Sequence, residues 1–453
     1  MSNTNWNEKE INELEDFLSN KILLPGTENY LRFRNGWAAT NNQPAIICLC
    51  ETAEDVQAAV VLAGKKNIPL SVRGGGHDWQ ARSSVHGGLV IDLSKMKHID
   101  IDATTKTAYV EGGVTSTEIA EAADPFDLIP VVGNSGAVGI VGFTIGGGYG
   151  VTSPKHGLGA DNLLSVNVVL ADGSLVTASK TENPDLLWAL CGGGGNFGVV
   201  TSMRIRLHDN PTLVAGFMMF PLEEADIIIQ GYNKIMQSSP SDNFYASAVM
   251  LTGPNGSPLL FFSPAWAGEP EEGKRLIDSI RQLGHPVKEN IGEMRLKDFL
   301  ALLTASLVNG RSYHIKTRWI ENITPEITAL ILKSAADRTS PYSKIAIFHM
   351  HGVATRTLLP ETSFGLRKDH HVVNVLAEWE PEDVANAETH RKWANQLAET
   401  LGQYALPGGY ANLLGREEHE QIAHSYGSNL PRLQSIKKIY DPDGVFSAIP
   451  LPR

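Results

Sequence analysis

Three consecutive glycines, at residues 74–76, follow a β-like run at residues 68–72 and precede His77. Glycine loses more backbone freedom on folding than any other residue, so this triplet disfavours both a helix and a strand. It permits a close backbone approach, in which successive N–H groups turn onto an anion such as a pyrophosphate. Arg73 adds a positive charge beside this loop. Taken alone, the loop is also compatible with a surface turn that carries a solvated histidine.

A second glycine-rich run spans residues 133–150, where eight of 18 residues are glycine and apolar residues lie between them. Because glycine is a poor helix former, we expect no stable helix here. The run suits a backbone that wraps closely around a flat, partly apolar ligand. Asp161 and Asn162 follow it, and their side chains could bond a ribityl or ribose hydroxyl or could cap a turn.

A third glycine cluster, at residues 192–198, contains a formal G-x-G-x-x-G from Gly193 to Gly198. In a dinucleotide-binding Rossmann unit that motif follows a strand and opens a helix. Here a helix-like segment, residues 185–190, precedes the cluster and a strand-like segment, residues 199–205, follows it. The order is reversed, so the sequence predicts no nicotinamide binding.

The composition excludes several classes of protein. A net charge of -12 argues against a general binder of nucleic acids or of anionic membranes. Three cysteines with no metal-ligand spacing predict neither a disulfide framework nor a zinc site. The polar N-terminus lacks the pattern of a signal peptide, and no apolar run approaches the length of a membrane span, so we expect a cytoplasmic protein.

The length and the local patterns indicate more than one domain. A chain of 453 residues is too long for one hydrophobic core. Short strands and helices alternate up to about residue 205, including a helix that Thr52 caps and a tight turn at residues 171–174. Glycine then becomes rarer and longer helical patterns appear between strands. We therefore expect three segments, residues 1–207, 208–405 and 406–453.

Four motifs together resemble the FAD-linked oxidases of the vanillyl-alcohol-oxidase superfamily, in the berberine-bridge-enzyme-like branch and near its bacterial 6-hydroxynicotine-oxidase-like members. They are residues 73–77, residues 133–150 with 155–162, residues 195–200, and Tyr440-Asp441-Pro442. The resemblance implies a two-domain α+β flavoprotein. Its FAD-binding domain comes from the N-terminal and C-terminal segments, and a central antiparallel sheet forms the substrate domain.

The resemblance also implies that FAD is bound covalently, through a ring nitrogen of His77 and the flavin 8α-methyl carbon. A neutral imidazole nitrogen is a competent nucleophile for this bond. Many relatives have a second link through a cysteine, where this chain has Ser135, so we expect a single link. The other cofactor contacts that the resemblance implies are Arg73, Gly74, Gly75, Gly76, Asp78, Gly133, Asn134, Ser135, Gly139, Gly142, Gly146, Gly147, Asp161, Asn162, Gly198, Val199, Val200 and Asn412.

Three residues are candidates for catalysis. Tyr410, two residues before Asn412, resembles the family tyrosine that helps to deprotonate substrate near flavin N5; such a base needs a lowered pKa. Packing of the Tyr410 ring is the alternative. His351 shares a strand face with His349, and we expect one of these imidazoles to line the substrate cavity. Glu378 is a candidate base or a partner for an amine, or else a solvated strand residue. Together these side chains do not predict a metal site.

The leading prediction is an FAD-dependent oxidase that removes a hydride from a small organic substrate, an alcohol or an amine, as in the oxidation of an alkaloid or a sugar in secondary metabolism. Dioxygen would then reoxidise the flavin and give hydrogen peroxide. One alternative is a flavin dehydrogenase that uses another electron acceptor, because Phe143 occupies the position that influences oxygen access in the family. A second alternative is a flavin-binding protein without turnover. The expected partners are a small-molecule substrate and dioxygen, with no nucleic acid and no membrane; no pattern assigns an oligomeric state.

Overall fold

The computed structural model describes residue 18 and residues 21–305 and 307–452. Its strands, numbered along the chain, are β1 Ile22–Leu23, β2 Ile46–Leu49, β3 Leu70–Arg73, β4 Leu89–Asp92, β5 Ile99–Asp102, β6 Thr107–Glu111, β7 Leu128–Ile129, β8 Leu163–Val169, β9 Leu175–Ser179, β10 Val199–Arg206, β11 His208–Asp209, β12 Leu213–Pro221, β13 Phe244–Thr252, β14 Pro258–Trp266, β15 Lys288–Met294, β16 Ser312–Ile320, β17 Lys344–Met350 and β18 His370–Trp379.

Helices lie between and after these strands. Within the described ranges they are α1 Tyr30–Arg34, α2 Ala53–Lys66, α3 Ser116–Ala123, α4 Ile140–Ile145, α5 Ser153–His156, α6 Pro184–Leu190, α7 Ala225–Ser238, α8 Pro270–Arg281, α9 Leu296–Thr304, α10 Pro325–Ala336, α11 Val353–Arg356, α12 Ala387–Gly402, α13 His419–His424 and α14 Leu430–Tyr440. None of the described helices is long and apolar enough to cross a membrane.

Two sheets form the glycine-rich part of the molecule. The first has the order β1-β2-β4-β3, in which β2, β4 and β3 run parallel and β1 is antiparallel to β2. The second is antiparallel with the order β5-β6-β10-β8-β9. Between β8 and β9 the predicted tight turn is confirmed, with Gly173 at φ +85° and its N–H donating to the Leu170 carbonyl over 2.9 Å.

The middle of the chain folds into a seven-stranded antiparallel sheet with the order β15-β12-β14-β13-β17-β18-β16. Because side chains alternate along a strand, each strand divides its residues between two faces. On β18, Val373, Val375 and Ala377 pack in a core that includes residues of α7, α10 and α12. Val372, Asn374 and Leu376 point to the opposite face, which meets the glycine-rich part.

Local chemistry explains where α2 begins. The Thr52 side chain accepts a hydrogen bond from the Asp55 N–H, and the Asp55 carboxylate accepts one from the Thr52 N–H. This capping box satisfies N–H groups that have no partner within the helix. The helix ends at Asn67, in the left-handed conformation with φ +50°. The predicted cap at Thr52 is confirmed.

The prediction that no stable helix forms at residues 133–150 is wrong, because this run contains the six-residue helix α4. Five of its six residues are buried: Ile140, Val141, Phe143, Thr144 and Ile145. Burial of these side chains in the adjacent core outweighs the poor helix propensity of the surrounding glycines. The helix is limited to residues between Gly139 and Gly146.

The C-terminal segment is attached to the third glycine cluster by buried polar contacts. Lys437 on α14 donates to the carbonyls of Asn196 (2.6 Å) and Phe446 (2.7 Å), and pairs with Asp441. The Asn196 side chain in turn donates to the Ile449 carbonyl over 3.0 Å. These contacts join residues more than 200 positions apart in the chain. The expected segment boundaries remain a prediction.

We expect Lys437→Met to lower the free energy of unfolding by about 2 kcal/mol, because it removes charged hydrogen bonds and leaves the Asp441 carboxylate without its cation. That carboxylate is fully buried. Urea unfolding followed by fluorescence measures the change. The neighbouring exposed Lys438→Met is the matched control. Equal stability of the two variants would contradict a structural role for Lys437.

Candidate functional site

A cavity of about 2090 Å³ lies between the glycine loops, the inner face of the seven-stranded sheet and the C-terminal segment. Pockets for drug-sized ligands are roughly 300–1,000 Å³, so this cavity has room for a much larger molecule. Its lining includes residues 74–82 after β3, residues 133–135 and parts of α4, residues from β16–β18, and residues 439–449.

The glycines after β3 allow two loops to touch backbone to backbone. A Cβ atom on Gly75 would lie 2.4 Å from the Gly139 nitrogen, and one on Gly139 would lie 2.5 Å from the Gly75 nitrogen. Gly76 has φ +66°, a conformation that residues with a side chain adopt rarely. The interpretation of this triplet as a site of close backbone approach therefore fits the geometry.

His77 follows the triplet and its ring lies on the cavity wall. The ring stacks on Trp37, with 4.2 Å between centroids and 10° between planes. Burial lowers the pKa of His77 to about 4, so the imidazole is neutral at neutral pH. Its Nε2 atom is buried and has no hydrogen-bond partner in the described part of the chain.

Two more orphaned polar atoms are Asn134 Oδ1 and Ser135 Oγ, both on residues that line the cavity. Buried polar atoms usually have partners, so a set of unpaired ones around one cavity indicates a polar ligand. The size of the cavity, the glycine-lined loops and these atoms fit a dinucleotide such as FAD.

Tyr410 and Asn412 meet on this cavity, as their spacing predicts. The Tyr410 oxygen accepts hydrogen bonds from the Gly148 N–H (3.2 Å) and from Asn412 Nδ2 (3.0 Å). Burial raises the pKa of Tyr410, and these two donors lower it less than burial raises it. Tyr410 is therefore a neutral phenol at neutral pH, and the expected lowering of its pKa is not found.

The sequence reasoning missed a second tyrosine, Tyr149, which lines the cavity 4.8 Å from the Tyr410 ring. Its hydroxyl lies 3.1 Å from His370 Nε2, and His370 Nδ1 lies 2.6 Å from the Lys368 carbonyl. A carbonyl only accepts, so we assign the ring proton to Nδ1, and Nε2 accepts the Tyr149 proton. The sequence feature that could have indicated Tyr149 is its place as an aromatic residue within the glycine-rich run at residues 133–150.

Glu378, a candidate base or partner of an amine in the sequence analysis, does not line the cavity, and its catalytic role stays a prediction. Its carboxylate is 3% exposed and pairs with Arg311 (2.8 Å) and Lys344 (2.9 Å). Each carboxylate oxygen therefore already has a cation as its partner. The residue is part of the protein's own ion-pair network.

His351 is also absent from the cavity wall, and so is His349. Along β17 the side chain of Phe348 faces the cavity, so the next residue, His349, faces away. His349 packs against His351 at 4.5 Å and stacks on His371 at 4.3 Å. These positions give no support to a catalytic role for His351, which stays a prediction. Among the described residues no group of three or more His, Cys, Asp or Glu could hold a metal ion.

Asp161 and Asn162 are held by protein groups away from the cavity. Asp161 accepts two hydrogen bonds from Arg367, at 2.6 and 2.9 Å, and one from the Leu158 N–H. Asn162 donates to the Leu158 carbonyl and its oxygen lies 2.8 Å from His208 Nε2. The alternative of a capped turn fits these contacts, and the predicted contact with a cofactor hydroxyl stays a prediction.

Arg73 is likewise directed away from the cavity, since its guanidinium bonds the Phe33 carbonyl and lies 3.6 Å from Asp92. Gly146 and Gly147 do not line it either; they allow Asn412 and Tyr410 to pack closely. Val199 is buried in the core beside β2 and β4. The remaining predicted contacts do line the cavity: Gly74, Gly75, Gly76, His77, Asp78, Gly133, Asn134, Ser135, Gly139, Gly142, Gly198, Val200 and Asn412.

Comparison with known proteins agrees with this geometry. Residues 44–179 match the family model described as an FAD binding domain, and residues 409–449 match the one described as berberine and berberine like. The chain is 28% identical to (R)-6-hydroxynicotine oxidase of Paenarthrobacter nicotinovorans over 448 residues, 95% of each protein. It is 36% identical to a xylooligosaccharide oxidase of Thermothelomyces thermophilus over 202 residues, 43% of this chain and 40% of that protein.

Solved structures show the same fold. The structure of 6-hydroxy-D-nicotine oxidase from Arthrobacter nicotinovorans superposes with a TM-score of 0.86 at 28% identity, covering 94% of this chain and 96% of that one. A berberine bridge enzyme variant in complex with (S)-reticuline has a TM-score of 0.87 at 19% identity, with 99% of each chain covered, and supports the fold alone. The chain therefore resembles the berberine-bridge-enzyme-like FAD-linked oxidoreductases and has the α+β fold of the vanillyl-alcohol-oxidase flavoproteins.

Proposed function

We propose that this protein is an FAD-dependent oxidase that converts a small alcohol or amine to a carbonyl or imine, with dioxygen as the final electron acceptor. One observation carries the proposal: a single cavity brings His77 and the glycine loops together with Tyr410, Tyr149 and the inner sheet face. Relatives named as oxidases of 6-hydroxynicotine and of xylooligosaccharides support the reaction class.

His77 is proposed to hold the cofactor covalently. A neutral imidazole keeps a free lone pair, and burial keeps this ring neutral. Stacking on Trp37 fixes the plane of the ring. Bound FAD would supply the redox chemistry, and the protein would orient the reactants and manage the proton.

The phenolate of Tyr410, a minor form at neutral pH because the pKa is raised, is proposed to take the substrate's hydroxyl or amine proton. Although Tyr410 is neutral at rest, the Gly148 N–H and the Asn412 side chain both point at its oxygen. Fixed donors of this kind stabilise a negative charge as it develops, without reorganising. Tyr149 donates its own proton to His370, so a lone pair of its oxygen remains available to the substrate.

Use of another electron acceptor is the second candidate function. Phe143 lines the cavity, and its ring lies 3.1 Å from where a Cβ on Gly133 would be. A bulky ring here narrows the approach of dioxygen. Hydrogen peroxide formation compared with reduction of an artificial acceptor dye separates the two functions.

We expect the purified protein to stay yellow after acid precipitation, because FAD is attached to His77. In the His77→Ala variant the flavin should pass into the supernatant. His285→Ala, at an exposed position, is the control and should behave like the unchanged protein. Flavin that stays in the precipitate of His77→Ala would show that another residue makes the bond.

We expect peptide mass mapping to find one flavin, on the peptide that contains His77. A serine hydroxyl such as Ser135 is too weak an acid to form the second link. Burial raises the pKa of both Cys48 and Cys191 to about 12, and that of Cys50 as well, so none is a thiolate at neutral pH. A flavin adduct on Ser135 or any cysteine would disprove the single link.

We expect Tyr410→Phe to keep the flavin but to slow its anaerobic reduction by substrate by about 100- to 10,000-fold, the usual loss when a positioned proton acceptor is removed. Because the pKa of Tyr410 is raised above 10, reduction in the unchanged protein should accelerate with pH up to at least that range. The variant should lose this dependence. Tyr404→Phe is the control, because the Tyr404 hydroxyl bonds Glu326 outside the cavity. An unchanged rate in Tyr410→Phe would leave Tyr410 a packing residue.

A further inference from the structure

The inner face of the seven-stranded sheet carries mainly apolar side chains, with the uncharged amide of Asn374 and the hydroxyls of Tyr313 and Thr317. Ile315 on β16, Phe348 on β17 and Leu376 on β18 line the cavity, and Asn374 lies among them. Asn374 is paired in register with Thr317 on one side and Ala346 on the other, so it lies in the middle of this face. Leu413 of the C-terminal segment adds a further apolar group.

Asn374 has an unmet requirement for a hydrogen bond. The residue is 7% exposed, and its Oδ1 atom has no partner within the described residues. A buried amide without partners destabilises a fold unless something else supplies them. An amide can also turn about its last side-chain bond, so it can present either its oxygen or its NH₂ group. It therefore suits one uncharged polar group of a ligand.

Carboxylates near this face are already neutralised. Glu378, on the same strand, pairs with Arg311 and Lys344. Glu417, at the edge of the cavity, pairs with Lys316 at 2.9 Å. An ammonium group placed against this face would lose its hydration without gaining a free counter-charge, which is costly.

A sugar fits this face poorly for a different reason. Each of its hydroxyl groups needs a hydrogen-bond partner when it leaves water. Ile315, Phe348, Leu376 and Leu413 offer none through their side chains. Flat, apolar rings instead match these walls, and they stack well against Phe348 and Tyr149.

We propose that the substrate is an uncharged aromatic alcohol, and that Asn374 selects it by bonding a neutral polar substituent on its ring. The proposal rests on the proposed oxidase function and narrows its substrate. Bound FAD would take up the hydride from the carbinol carbon, and the phenolate of Tyr410 would take the hydroxyl proton, which leaves a carbonyl and a neutral tyrosine. Dioxygen takes up the two electrons and two protons as hydrogen peroxide.

Ligand binding to the holoprotein tests this without requiring turnover. Benzyl alcohol, para-hydroxybenzyl alcohol, benzylamine and glucose are titrated anaerobically by calorimetry at pH 8, where the amine is charged. We expect both alcohols to bind at least about tenfold tighter than benzylamine, and glucose to bind weakest. Equal or tighter binding of benzylamine or glucose, or no binding of either alcohol, would overturn the proposal.

Two variants test the role of Asn374. Asn374→Asp adds a carboxylate and should shift the preference toward benzylamine by about tenfold or more, because close charge pairs couple strongly. Asn374→Leu removes both polar atoms and should abolish the advantage of para-hydroxybenzyl alcohol over benzyl alcohol. Asn255→Asp, in the exposed turn between β13 and β14, is the matched control. Unchanged preferences in both Asn374 variants would contradict selection by this residue.

The rate of flavin reduction by the same compounds distinguishes a wrong substrate class from a wrong oxidase function. If benzylamine or glucose reduces the flavin faster than either alcohol, the substrate class is wrong and the oxidoreductase function stands. If the alcohols bind as expected but neither reduces the flavin with dioxygen or a dye present, the proposed function fails.

Discussion

The contact between the two glycine loops is the constraint on which the site depends. A side chain on either Gly75 or Gly139 would collide with the backbone of the opposite loop. The collision involves main-chain atoms, which cannot turn away as a flexible side chain can. The contact sets His77 on one loop beside Asn134 and Ser135, which precede the other. This close backbone approach thus positions the part of the cavity wall that carries the unpaired polar atoms of His77, Asn134 and Ser135.

Strand alternation supplies the second constraint, because it decides which side chains face that wall. Phe348 and Asn374 point into the cavity from neighbouring strands. Their sequence neighbours His349 and Val373 pack on the other face. A shift of one residue in either strand would exchange the two sets. The inner face would then carry histidine rings and lose its amide, so the chemistry of the cavity depends on register as much as on composition.

Features with local causes could be predicted from the sequence, and features with distant partners could not. The Thr52 cap and the turn at residues 171–174 need only neighbours within a few positions. Asp161 is held by Arg367, 206 positions away, and Glu378 by Arg311, 67 positions away. No residue close to Asp161 or Glu378 in the sequence indicates which arginine will pair with it. The glycine clusters and Tyr410 could be identified because the backbone freedom of glycine and the short Tyr-x-Asn motif are both features of neighbouring residues.

Charge distribution explains how an acidic protein can hold a site for proton and hydride transfer. The net charge is -12, yet four titratable side chains at or beside the cavity, His77, His370, Tyr149 and Tyr410, are neutral at pH 7. Burial lowers the pKa of His77 and His370 to about 4 and raises that of Tyr149 and Tyr410. Two fixed donors still point at the Tyr410 oxygen. A negative charge that forms there meets preset dipoles and no competing carboxylate, because Glu378 is already paired. The ion pairs of Glu378 and Glu417 therefore neutralise the carboxylates beside the cavity.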